Sequence, residues 1–112
     1  VQKVGGLPLE EYFALTSRAS LFIGNNSAPM NIACVCGVPG LIFNGPSPAS
    51  WDPFWHGEKF RILRDPGLCC QPCDHLTGPV NRCLNHREPM ACMNRWSVDT
   101  AHRIAMQLLA LA

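Results

Sequence analysis

Charge is scarce in this chain. Of its 112 residues only 15% are Asp, Glu, Lys or Arg, and nine basic residues against eight acidic ones leave a net charge of +1. The basic residues never run together, which speaks against a nucleic-acid partner held by a charged face. No apolar run approaches the roughly 20 residues needed to cross a bilayer. Internal repeats and low-complexity linkers are absent. With no secretion signal read at its start, the expected compartment is the cytoplasm. What the chain does have is a hydrophobic share of 47%. That is a globular composition, enough for one small domain with a single core. It also has seven cysteines. In that compartment, reduced thiols or a bound metal are expected ahead of a disulfide framework.

The most informative stretch runs from Ser20 to Ala33, Ser-Leu-Phe-Ile-Gly-Asn-Asn-Ser-Ala-Pro-Met-Asn-Ile-Ala. An apolar strand, about Leu21–Gly24, enters a short polar turn that opens a helix over about Ala28–Cys36. A helix start offers unpaired N–H groups and the positive end of the helix dipole, a ready place for phosphate. Pro29 suits the first turn because its missing N–H has no partner there. Asn26 or Ser27 can cap. The plain alternative is a capped helix in an ordinary α/β domain.

The helix reads as apolar nearly all round, so cover on more than one side is expected. Gly37 stands where helices take a left-handed cap. Gly40–Asn44 reads as a second strand, making a strand–helix–strand unit of the right-handed parallel kind. Upstream, Leu9–Arg18 reads as a helix with Leu9, Tyr12, Phe13 and Thr16 in one stripe. Phe60–Leu63 reads as a third strand. Ser97 is expected to cap a last helix that buries Val98, Ala101, Ile104, Ala105, Leu108 and Leu111 or Ala112.

Several ordered motifs between Val4 and about Arg64 resemble the C-terminal domain of glycosyltransferase family 9, the heptosyltransferase-like enzymes of lipopolysaccharide assembly. They are Gly6-Leu7-Pro8-Leu9-Glu10-Glu11, then Asn26-Ser27-Ala28-Pro29-Met30-Asn31, then Gly37-Val38-Pro39, then Leu41-Ile42-Phe43-Asn44-Gly45-Pro46-Ser47-Pro48. The second matches the family pattern Asp-Ser-Gly-Pro-Met-His, with Asn26 and Asn31 replacing its aspartate and histidine. The resemblance implies an α/β, partial Rossmann-like unit of the GT-B C-terminal type. It would be three-layered with a short parallel sheet, followed by a cysteine-rich irregular segment and a C-terminal helix. The parts are residues 1–64, 65–96 and 97–112, all in one domain.

The resemblance also implies a function. Asn26, Ser27, Ala28, Pro29, Met30, Asn31 and Ser47 would bind the diphosphate and sugar of a nucleotide sugar, such as an ADP-heptose. Transfer would proceed with inversion and need no metal cofactor. The acceptor would be a lipid-linked saccharide at the inner face of the membrane, reached through an N-terminal domain outside this chain. That domain would carry the general base, so no catalytic residue is assigned here. A short sheet with few helices also suggests an exposed edge or face, paired with another copy in a homo-oligomer or with the N-terminal partner.

Cys70-x2-Cys73-x9-Cys83-x8-Cys92 is the second constellation. Four thiolates around a structural zinc would cross-link a segment with little core. Cys69, His75 and His86 are substitute ligands. Disulfides and free thiols are the competing readings. The alternative to the transferase reading is a metal-stabilised, cysteine-rich binding or interaction module whose sugar-nucleotide site is vestigial. Cys34 and Cys36 fit an apolar helix as core residues. Trp51, Phe54 and Trp55 are expected to pack a long loop onto the domain, with stacking on a sugar or base as the alternative. His56 and His102 are isolated and carry no assignment.

Overall fold

The computed structural model describes residues 1–53, 57–73 and 82–112. They form a mixed α/β unit around a short, wholly parallel sheet. The strands are β1 (Phe22–Asn25), β2 (Gly40–Phe43) and β3 (Phe60–Leu63), in the order β1-β2-β3. The helices are α1 (Leu9–Thr16), α2 (Ala28–Val35), α3 (Ala91–Asn94) and α4 (Val98–Leu109). Two short 3-10 turns, Ala49–Trp51 and Gly57–Lys59, lie on the path from β2 to β3.

The alternation of side chains along each strand divides the core between the two faces of the sheet. On one face, Met30, Ala33 and Cys34 of α2 pack with Val38, Ile42 and Phe60. On the other, Ala105 and Leu108 of α4 pack with Leu41 and Leu63. Helices on both faces of a parallel sheet make three layers. The α2 face carries a packing device. The Phe60 ring lies across Gly40, so that a Cβ on Gly40 would stand 2.4 Å from the ring. Glycine is required there because the aromatic ring has taken the place of its side chain.

Several expectations need correction. The wholly apolar run of β1 suits a buried parallel strand, yet its burial alternates and Ile23 is 56% exposed. It is an edge strand, and α4 reaches only far enough to cover β2 and β3 on that side. Cover all round α2 was also expected. Val35 and Asn31 face outward, so its buried residues, Met30, Ala33 and Cys34, make one side only. In α1 the stripe holds for Tyr12, Phe13 and Thr16 but not for exposed Leu9, and the helix ends before Arg18. In α4 the middle of the stripe is inward, whereas Val98 and Leu111 at its ends are exposed.

The caps follow the sequence more closely. Gly37 adopts φ 72°, the left-handed conformation that only glycine takes without strain. Ser97 Oγ accepts the Thr100 amide at 3.1 Å. Among the described residues no helix is long and apolar enough to cross a membrane.

Candidate functional site at the carboxyl edge of the sheet

Parallel strands end on one edge, and here the register aligns those ends. Asn25, Phe43 and Leu63 are partners across the sheet. The residue after each is polar: Asn26, Asn44 and Arg64. Chain reversal beyond each strand holds these three side chains in a row at the place where open α/β sheets bind ligands.

The row is knitted into a network. Asn26 Nδ2 donates to Asn44 Oδ1 and to Asp52 Oδ1, both at 3.1 Å. Asp52 receives both guanidinium nitrogens of Arg64 at 2.9 and 3.0 Å, a bidentate pair. Asn44 is fully buried, and its Nδ2 donates to the Ser47 carbonyl at 2.9 Å. Gln71 Nε2 donates to the carbonyls of Asn44 and Gly45 at 2.8 and 2.6 Å. Its Oε1 accepts the Asp65 amide at 3.2 Å. Arg64 Nε is buried without a partner among the described residues.

Above this network lies a cleft of about 540 Å³. Its inner wall is Asn26, Gly45 and Ser47, and its outer wall includes Trp51, Arg82 and Met90. Trp51 is 55% exposed, so its ring is presented to the cleft rather than consumed in packing. That differs from its expected role as a loop anchor. Phe54, Trp55, His56 and His75 lie outside the described residues.

The structure redistributes the tasks expected of the turn before α2. Ser27 occupies the cap position with extended backbone, but its hydroxyl accepts no helix amide and instead donates to the Asn25 carbonyl at 3.3 Å. The Met30 and Asn31 amides donate to the Ser27 carbonyl at 3.1 and 3.4 Å, and Pro29 has none to give. The amides of Ser27 and Ala28 donate to nothing among the described residues, and both residues are exposed. The helix mouth is therefore open, with two amides rather than four. Met30 is fully buried and serves the core with its side chain. Asn31 is exposed on α2. Asn26 has both amide hydrogens committed and keeps only Oδ1 for a ligand. Ser47 is buried at the cleft wall.

Asp52, Arg64 and Gln71 were not singled out in the sequence. Their importance rests on partners distant in the chain, and no local spacing signals it.

Comparison with models of protein families, with curated proteins and with solved structures gives no match.

Proposed function

We propose that this chain is the nucleotide-sugar-binding part of an inverting glycosyltransferase that resembles the lipopolysaccharide heptosyltransferases. One observation carries the reading: the amides of two exposed residues at the mouth of α2, without a partner among the described residues, stand beside a cleft at the carboxyl edge of a parallel sheet. A diphosphate seated there would meet the Ser27 and Ala28 amides and the positive end of the helix dipole. Arg82 on the facing wall supplies a cation, and Trp51 supplies a ring face for a base or sugar.

In transfer with inversion, an acceptor hydroxyl attacks the anomeric carbon, the bond to the diphosphate breaks, and negative charge grows on the leaving group. Preorganised donors aimed at that charge lower the barrier, each by about 3 kcal/mol. The general base and the acceptor saccharide would come with the N-terminal domain, at the inner face of a membrane. On this reading these 112 residues bind but do not turn over alone.

Calorimetry and thermal shift with ADP, UDP and GDP, free and as their sugars, test this. Binding is expected with at least one nucleotide. Ala28→Trp, which fills the mouth from an exposed position, should weaken it at least tenfold, about 1.4 kcal/mol. Ala28→Gly should preserve it. An absence of both heat and stabilisation at millimolar nucleotide refutes the reading.

A second reading has its own support. Both hydrogens of the Asn26 amide are spent on Asn44 and Asp52. The asparagine that replaces the family aspartate is thus built into the scaffold. That favours an interaction module in which the sugar subsite is vestigial. Nucleoside diphosphates that bind no less tightly than their sugars would favour this second reading.

A further inference from the structure

Four thiols without a task in sugar transfer gather beside the cleft. Cys73, Cys83 and Cys92 line its outer wall. Cys70 joins them through Asn85, whose Nδ2 lies 3.8 Å from Cys70 Sγ and whose carbonyl accepts from Cys83 Sγ at 3.9 Å. The four come from separate places in the chain: the turn after β3, the segment before α3, and α3 itself.

Apolar burial is sparse in this part of the molecule. Among the described residues from 65 to 96, only Leu68 and Ala91 are buried apolar side chains.

The backbone around the thiols is arranged toward sulfur. The Met90 amide lies 3.3 Å from Cys83 Sγ. Met90 holds φ 60°, a left-handed conformation that disfavours a side chain. An amide aimed at the sulfur in this way fixes where the Cys83 side chain stands. Among the described residues no three ligand-type side chains already stand at coordinating geometry. Closing the cluster is thus work for the ion.

We propose that Cys70, Cys73, Cys83 and Cys92 bind one Zn²⁺ ion, which staples the segment after β3 to the outer wall of the cleft. Each thiol gives its proton to solvent as its sulfur bonds the metal at about 2.3 Å, and no electron moves. Cys69 is exposed next to Cys70 and stays outside the set.

Anaerobic titration of the reduced, metal-free full chain with Co²⁺ tests the proposal. The expected spectrum saturates at one ion per chain, with thiolate-to-cobalt charge transfer and the red-region bands of a tetrahedral site. One equivalent of Zn²⁺ should displace it and shield four of the seven thiols from a thiol reagent. Cys83→Ser and Cys92→Ser should lose this saturation, and Cys69→Ser should keep it. Should the serine variants fail to fold, the wild-type spectrum and thiol count decide alone. Absence of a saturable spectrum overturns the proposal, as do seven equally reactive thiols with zinc present, or an iron–sulfur chromophore in the purified chain. Nucleotide binding does not enter any of these outcomes, so they leave the sugar-nucleotide reading to its own test.

Discussion

Asn44→Ala removes the centre of the carboxyl-edge network, and its cost can be worked out group by group. The Asn44 side chain has three partners. Asn26 Nδ2 loses one acceptor but keeps Asp52 at 3.1 Å. The Gly45 carbonyl loses a long contact of 3.4 Å but keeps Gln71 at 2.6 Å. The Ser47 carbonyl loses its 2.9 Å partner, and Ser47 is only 6% exposed. One acceptor is therefore orphaned, at about 1–3 kcal/mol, and a small void is added at a fully buried position. The expected destabilisation is about 2–3 kcal/mol, a large part of the 5–15 kcal/mol typical of a domain and about 10 °C in Tm.

Asn44→Asp sharpens the test. It keeps the shape but turns two donor contacts into a carboxylate facing two carbonyl oxygens. At neutral pH it should destabilise more than alanine does. Burial raises the folded pKa of the new carboxyl above its unfolded value, so the penalty applies at high pH. It shrinks as the pH falls through the folded pKa, where the protonated carboxyl can again donate to Ser47. Urea unfolding followed by circular dichroism and tryptophan fluorescence measures both variants. An Asn44→Ala cost within about 0.5 kcal/mol of zero, the range of ordinary surface substitutions, would refute the accounting.

Other outcomes follow from the same geometry. Gly40→Ala forces a Cβ against the buried ring of Phe60 and should cost about 1–3 kcal/mol in urea unfolding, with part restored by adding Phe60→Leu. Arg95 donates to Asp65 and Glu88 and holds both carboxyls below their ordinary range, mainly by these hydrogen bonds. Depressed folded values mean that this stabilisation exists above the unfolded carboxylate pKa and disappears as the pH falls below about 4. A Tm series from neutral to acid pH should therefore fall less steeply in Arg95→Ala than in the wild type. Equal slopes would show that the pairs do not contribute. The nucleotide titration of Ala28→Trp and the cobalt titration complete the set.

Local physics made much of the architecture legible. Backbone restrictions are encoded one residue at a time, so Gly37 and Ser97 marked helix boundaries that the coordinates share. Short apolar runs located all three strands to within a residue, because strand formation and burial depend on the same side chains. The one-sided cover of β1 was not legible. Phe-Ile-Gly reads the same whether one face or both are covered, and only the reach of α4 decides which.

The turn before α2 was visible as a place for an anion, since the order strand, small polar residues, proline and helix is a local pattern. How many amides it offers is equally local, because the Ser27 carbonyl accepts from Met30 and Asn31, three and four residues on, and Pro29 has no amide hydrogen to give. The row Asn26–Asn44–Arg64, its bridge through Asp52 and its brace at Gln71 depend on strand register and a long loop return. Those contacts span large separations in sequence, and no spacing rule reaches across them. The amino-acid order by itself therefore determined the elements and their caps. The fold decided which polar groups became partners and which were left facing the cleft, because hydrogen-bond satisfaction depends on distances that exist only once the chain has closed.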